Sequence, residues 1–229
     1  MSELTNFEKK AGIAYKNRNL FRESITHRSY LNENPAWPHP HNERLEFLGD
    51  AVLELAVTES LYKRYEQFPE GKLTLLRAAL VNYQFLARIA SDLGLEKEIL
   101  MSRGESRDTG KAREVILANA MEAVVGALYL DQGFSVAQDF VERHIMPHIG
   151  EIVASQSYKD PKSRLQEVVQ EKHKITPSYR VLSEDGPAHA RVFRIGVYVG
   201  ETLLGEGEGA SKQEAEVEAA RAALRAHAK

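Results

Sequence analysis

Cysteine is absent from this 229-residue chain. That excludes disulfides, a thiolate zinc site and a cysteine nucleophile, and it suits a reducing compartment. Long hydrophobic runs are absent too. The longest, VVGALYL from Val124 to Leu130, is far short of the ~20 residues a membrane helix needs. The opening residues, MSELTNFEKK, carry charge where a secretory leader would be apolar, so a cytoplasmic location with no membrane partner is expected. Aromatic residues make up only 8%, with Trp37 the sole tryptophan. No charge of one sign dominates. The net charge is −3; residues 1–159 hold 19 basic and 22 acidic side chains, and residues 160–229 hold 11 of each. Neither part is a basic tail, so any polyanion binding must come from local patterning. What remains is 43% hydrophobic and 28% charged, the composition of a folded globular protein.

Apolar residues in the first 150 positions recur at three- and four-residue spacing, which predicts an all-α domain. Helices are expected over 4–15, 20–29, 43–65, 72–93, 111–132 and 134–154, with loops at ENPAWPHPH (33–41) and SRGESRDTG (102–110). The helical domain is read as 1–154, a linker as 155–159, and a second domain as 160–229. There the pattern changes. Pro161 suits the first turn of a helix running on through Lys162–Lys172. Strands are expected at Ser178–Leu182, Ala190–Val199 and Glu201–Glu206, and a closing helix at Ser211–Ala228. In the middle strand Phe193, Ile195, Val197 and Val199 alternate with Arg194 and Tyr198. The order α-β-β-β-α predicts a small two-layer α+β domain with both helices on one face of a meander. Gly205-Glu-Gly-Glu-Gly209 has the wrong order for a nucleotide-binding loop and reads as a strand-to-helix connector.

The chemistry is concentrated in NERLEFLGDAVL, residues 42–53. Glu43, Glu46 and Asp50 stand at i, i+3 and i+7 and share one stripe, while Leu45, Leu48, Val52 and Leu55 point elsewhere and can be buried. Like charges on one stripe weaken a helix. A divalent cation would offset that repulsion, and oxygen donors without His or Cys favour Mg²⁺ or Mn²⁺. The plain alternative is a solvated acidic face. A second helix bears on the choice. Asn119 and Glu122 share one side of an otherwise apolar segment, where unpaired burial is costly. They are accounted for if they face the first stripe across a metal, or if they sit at a solvated rim.

These segments resemble bacterial ribonuclease III. NERLEFLGDAVL is similar to that family's signature, as are THRSY (26–30), FPEGKLTLLRAALV (68–81) and LANAMEAVVGALYLDQGF (117–134), followed by a double-stranded-RNA-binding domain from about residue 160. The resemblance implies Glu46, Asp50, Asn119 and Glu122 as metal ligands, with Asp50 and Glu122 catalytic, and Glu43 and Glu70 as further acids lining the cleft. Asn119 is a departure, since the family often has Asp there; an amide oxygen can still coordinate Mg²⁺, with one charge less. The implied reaction is metal-assisted hydrolysis of double-stranded RNA to 5′-phosphate and 3′-hydroxyl products with short 3′ overhangs. Also implied are a homodimer, roles in precursor rRNA and mRNA processing, and no organic cofactor. Phe47, Leu48 and Val52 then serve either the core or the dimer seam. A non-catalytic double-stranded-RNA-binding protein on a degenerate nuclease scaffold is the competing reading, and Asn119 is its support.

In the second domain Ser163, Gln166 and Glu167, then His189 within GPAH (186–189), then Ser211 and Lys212 match the family's RNA-contact pattern. Ser, Gln, Glu and His suit the 2′-hydroxyls of a shallow minor groove, and a helix N-terminus bearing Lys suits phosphate. Gln213 stands where the family usually has a second basic residue. Glu214, Glu216 and Glu218 lower the local positive charge further. His39 and His41 are weak metal candidates beside prolines, and Trp37 is expected to pin the 33–41 loop. His27-Arg28-Ser29 has no Asp placed for a Ser-His-Asp triad.

Overall fold

The computed structural model describes residues 4–107, 109–156, 158–187 and 191–227. It divides into two compact units, Met1–Tyr158 and Lys159–Lys229.

The first unit is helical: α1 (Asn6–Ala11), α2 (Arg18–Ser24), α3 (Arg28–Glu33), α4 (Glu43–Arg64), α5 (Glu70–Val81), α6 (Tyr83–Leu93), α7 (Lys111–Gln132), α8 (Phe134–His144) and α9 (Ile149–Ser155). Three of the helices expected from periodicity are interrupted, each for a local reason. The expected 20–29 helix breaks into α2 and α3 because Thr26 leaves to pair with Leu100 in a parallel bridge. The expected 72–93 helix breaks at Asn82, whose extended backbone lets its Oδ1 accept from Phe85 N at 2.9 Å and cap α6. The expected 134–154 helix passes through a 3₁₀ turn at Met146–His148, where Pro147 offers no N–H. The expected 4–15 helix stops at Gly12, which adopts φ 61° and closes α1.

Helix α7 is apolar nearly all round and is accordingly packed on all sides, by α2, α4, α6 and α8. Ala118, Ala120, Met121, Val124, Val125 and Leu128 are buried in it. Its closest neighbour is α4. A Cβ on Gly49 would strike the carbonyl oxygen of Glu122, and one on Gly126 would strike that of Leu45. Glycine at both positions lets the two backbones touch, which is what brings the Glu46–Asp50 turn against the Asn119–Glu122 turn. Tyr158 packs against this core, beyond the end of α9, and the boundary between the units falls between Tyr158 and Lys159, inside the segment read as a linker.

The second unit runs α10 (Pro161–His173), β1 (Ser178–Asp185), β2 (Val192–Val199), β3 (Thr202–Gly209) and α11 (Lys212–His227). The strands form an antiparallel sheet in the order β1-β2-β3. Asp160 caps α10, its carboxylate accepting from Ser163 N at 3.0 Å. Leu165 and Val169 of α10, Val197 and Val199 of β2, and Ala219, Ala220 and Ala223 of α11 make a small core. The Gly205–Gly209 run is a correction: it lies inside β3 rather than connecting it to α11. A Cβ on Gly205 would come 2.6 Å from Ala223 N, one on Gly209 2.7 Å from Ala215 N, and one on Gly207 would strike Ala219 N. The alternate glycines are the strand's half of a close approach to the helix, and the alanines are the helix's half.

Candidate nuclease site

The THRSY segment is a strut beneath the acidic stripe. Leu100 N donates to Ile25 O (2.8 Å), His27 N donates to Leu100 O (2.9 Å), and the buried Asn42 donates from its backbone to Thr26 O (2.9 Å) and from its side chain to Ser24 O (3.2 Å). The residue that precedes Glu43 is thus fixed before α4 begins. His27 caps α3, its Nδ1 accepting from Ser29 N at 3.3 Å and lying 2.7 Å from Ser29 Oγ. Arg28 reaches Glu43 at 3.3 Å, and His41 stands 3.8 Å from the same carboxylate.

At the α4–α7 crossing Glu46, Asp50, Asn119 and Glu122 are neighbours. Burial raises the Glu46 carboxyl, and the charges of Glu43 and Asp50 raise it further against a hydrogen bond from the Asn119 side chain. Burial, then the charges of Asp50 and Glu46, pushes Glu122 up to about 8. Asp50 lies exposed at the lip, whereas Glu46, Asn119 and Glu122 are half-buried. Three carboxylates and one amide oxygen, with no nitrogen or sulfur among them, are the donors a hard divalent cation takes. Among the described residues no three His, Cys, Asp or Glu side chains are drawn together tightly enough to hold a metal ion as they stand. The charges of Asp50 and Glu46 raise Glu122, and a cation would fit the donor set by offsetting that repulsion.

Glu43 therefore belongs to the cluster's edge. Glu70 does not reach it within one chain: it perturbs neither Glu46 nor Glu122. It accepts from Thr74 Oγ1 at 2.9 Å in the first turn of α5 and lines a separate cavity of about 470 Å³ with Thr58, Tyr62, Phe68 and Arg77. One expectation about α4 needs correcting: Leu55 is 55% exposed rather than buried. Of the two roles open to Phe47, 83% exposure excludes the core, while Leu45 and Val52 are buried. Phe47, Leu55 and Tyr62 (73% exposed) fall on one helical stripe with Ala51 and Thr58 between them, an apolar face that no described residue of the first unit covers. Trp37 pins its loop as expected, packing edge-on against Tyr30 and His39 at 5.4 and 5.3 Å.

In the second unit Ser163, Gln166 and Glu167 are exposed at i, i+3 and i+4 on α10. Ser211 caps α11, its hydroxyl accepting from Glu214 N at 3.1 Å. Lys212 is exposed at the first turn, 3.0 Å from Glu184. His189 lies outside the described residues. The residues missed from sequence are Gly49 and Gly126, which set the crossing, and Arg28, which holds Glu43. An isolated glycine inside each of two strongly helical patterns was the available signal for the crossing. Arg28 lies within the family-like THRSY segment, but nothing in the sequence pointed to its pairing with Glu43.

A family model described as ribonuclease-III-like matches residues 17–149, and one described as the double-stranded RNA binding motif matches residues 161–227. Ribonuclease 3 of Borreliella burgdorferi is 44% identical over 225 residues, 98% of this chain and 91% of that protein. Ribonuclease 3 of Syntrophomonas wolfei is 47% identical over 212 residues, 93% and 90% of the two chains. Among solved structures, the nuclease domain of ribonuclease III from Campylobacter jejuni, described as flexible in a region involved in dimer formation, matches at 40% identity and a TM-score of 0.57, over 63% of this chain and 97% of that one.

Proposed function

The chain belongs to the ribonuclease III family and is a ribonuclease III type endoribonuclease, and on that premise we propose that it hydrolyses double-stranded RNA at the α4–α7 crossing with Mg²⁺ as cofactor. The observation that carries the site is the convergence of Glu46, Asp50, Asn119 and Glu122 where Gly49 and Gly126 let two helices touch. These four residues would hold Mg²⁺, or Mn²⁺ in its place. When bound, such an ion supplies charge neutralisation at a phosphate and a more acidic water. The chain's own contribution is placement. The strut at residues 24–29 fixes the start of α4, Arg28 holds Glu43 at the edge, and the half-buried floor keeps Glu122 prone to hold a proton near neutrality until its neighbours' charge is offset. Products are 5′-phosphate and 3′-hydroxyl ends.

The uncovered stripe of Phe47, Leu55 and Tyr62 supports a homodimer in which each subunit cuts one strand and leaves a short 3′ overhang. The dimer-forming region described for the Campylobacter nuclease domain supports the same assembly. Ser163, Gln166, Glu167, His189, Ser211 and Lys212 would contact the duplex through its minor groove and phosphates. A cytoplasmic role in precursor rRNA and mRNA processing follows from the family premise. Incubating long duplex RNA with the protein and Mg²⁺ tests the reading: fragments with 5′-phosphates and short 3′ overhangs are expected. Retention of RNA without cleavage, in Mg²⁺ and also in Mn²⁺, would favour the non-catalytic alternative. Sedimentation of the intact chain should give twice the chain mass.

A further inference from the structure

The RNA-contact residues of the second unit are surrounded by cations that are already engaged. Lys159 pairs with Glu167 at 2.5 Å and Lys162 with Glu216 at 2.5 Å. Lys212 pairs with one oxygen of Glu184 at 3.0 Å, and Arg191 approaches the other at 3.7 Å. Glu184 is distinctive because its two cations come from different segments. Arg191 leads out of the β1–β2 connection into β2, and Lys212 opens α11, where a helix N-terminus already favours phosphate. Lys212 is steadied from a second side by the Phe193 ring, 5.6 Å away. All three charged side chains are open to solvent: Lys212 is 57% exposed, Arg191 47% and Glu184 37%.

We propose that Glu184 is an internal stand-in for an RNA phosphate, holding Lys212 and Arg191 in the free protein and giving them up when duplex RNA binds. The inference rests on the duplex-binding reading of this unit and names a residue that sets its affinity. Carboxylate and phosphate oxygens compete for the same ammonium and guanidinium protons. An exposed pair is weakly held, so the exchange is cheap, but the approaching backbone meets one net positive charge where two would otherwise stand. The exchange also changes the salt response. A free lysine that meets a phosphate releases counterions, whereas one that leaves Glu184 obliges that carboxylate to gather its own. Glu184 therefore lowers affinity and flattens its dependence on salt together.

The test uses the full chain in chelator, so that RNA binds uncut, and a fluorescent duplex longer than the roughly 16 base pairs one such domain spans. Anisotropy titrations at a series of salt concentrations compare the wild type with Glu184→Gln, with Lys212→Ala plus Arg191→Ala, and with all three changes together. Glu184→Gln is expected to tighten binding about two- to fivefold, the range exposed ion pairs command, and to steepen the log–log salt slope by up to about 1. The gain should vanish when Lys212 and Arg191 are absent. It should also be absent in Glu201→Gln, which makes the same charge change where Glu201 pairs with Arg180 at 3.0 Å. Unchanged or weaker binding by Glu184→Gln, or an equal gain in the Lys212→Ala plus Arg191→Ala background, overturns the proposal while the wild type still binds duplex. A wild type that does not bind duplex overturns the duplex-binding reading itself, and this proposal with it.

Discussion

The two units use the same packing device for opposite electrostatic ends. In the nuclease unit, glycine faces glycine across α4 and α7, and the backbone contact forces like charges together: Glu46, Asp50 and Glu122, with the Asn119 amide. In the RNA-binding unit, glycines of β3 face alanines of α11, and the charges near the contact residues are paired with opposite ones. The first arrangement is costly and the second is not. The cost is borne where the core is large. Fully buried Phe7, Leu53, Leu86, Phe140 and Leu128 belong to the first unit, each side chain worth about 1.5–3 kcal/mol of transfer free energy, against a seven-residue cluster in the second. A site that gathers charge needs a scaffold with stability to spare; a surface that exchanges charge needs only weak pairs.

The largest expected effect breaks the comparison at its charged end. Glu122→Gln keeps the shape and removes a charge, so single-turnover cleavage should fall by about 100-fold or more, since even the partners of metal ligands cost 10–100-fold. Duplex retention should stay as it is, because the residues proposed to contact RNA lie in the other unit. The melting temperature should hold or rise, because a half-buried carboxylate crowded by Asp50 and Glu46 becomes a neutral amide. Cleavage within a few-fold of wild type at limiting Mg²⁺ would remove Glu122 from the ligand set.

The shared device can be broken in either unit. Gly49→Ala and Gly207→Ala each press a methyl into backbone, an overpacking worth about 1–3 kcal/mol. The drop in melting temperature should be larger for Gly207→Ala, at roughly 4–8 °C per kcal/mol in a unit that small against roughly 2–4 °C in the larger one. Calorimetry and activity then separate the roles. Gly49→Ala should cost cleavage at unchanged duplex affinity, and Gly207→Ala should cost affinity at unchanged nuclease melting. A single cooperative transition shifted equally by both would contradict the two-unit division.

A metal titration with Asn119→Asp sharpens the contrast. Asn119 donates a hydrogen bond to Glu46, and the substitution replaces that donor with a fourth carboxylate. The ion should then bind more tightly, with the Mg²⁺ concentration for half-maximal cleavage falling several-fold; unit charges ~4 Å apart at an effective dielectric near 20 interact by about 4 kcal/mol before desolvation. The maximal rate need not rise, because tighter binding of a cofactor in the ground state is not transition-state stabilisation. Superimposable titration curves would place Asn119 outside the site.

Most of the architecture could be read from periodicity, because long amphipathic or apolar runs such as 43–64 and 111–132 carry their own signal. What periodicity hides is interruption. Asn82 and Thr26 sit in runs whose apolar spacing continues across the break, and only side-chain and bridge hydrogen bonds reveal it. The acidic stripe was legible as spacing along one helix, and Asn119 and Glu122 as polar residues in an apolar one. Their meeting was legible only as one of two readings and through the family resemblance, because two glycines 77 positions apart in sequence decide it. Leu55 misled for a related reason: periodicity shows that a stripe is apolar and not whether it is buried, and Leu55 is 55% exposed.

The smallest expected effect concerns the strut. His27 caps α3 through Nδ1, which accepts from Ser29 N, while Ser29 Oγ accepts from Ser102 N at 3.0 Å and is placed to give its own proton to His27. Both bonds need a neutral Nδ1. Burial lowers the His27 pKa below its ordinary 6.5; the nearby Glu105 and Glu43 charges pull it up, while Arg28 and His41 push it down. With the folded value below the unfolded one, the unfolded chain binds more protons in the window between them. The stabilisation is therefore fully present above about pH 6.5 and is lost as pH falls through the lowered folded value. His144 shifts in the same direction by burial, so a pH profile of the wild type alone would mix the two. His27→Asn isolates the cap: Asn caps helices well and cannot take the proton, and His144 is common to both proteins. The difference in unfolding free energy should favour the wild type or be level at pH 7.5. It should swing towards His27→Asn by up to about 1 kcal/mol on acidification, the size of one helix cap. A difference that does not move between pH 7.5 and 5 would mean that the cap does not depend on a neutral His27.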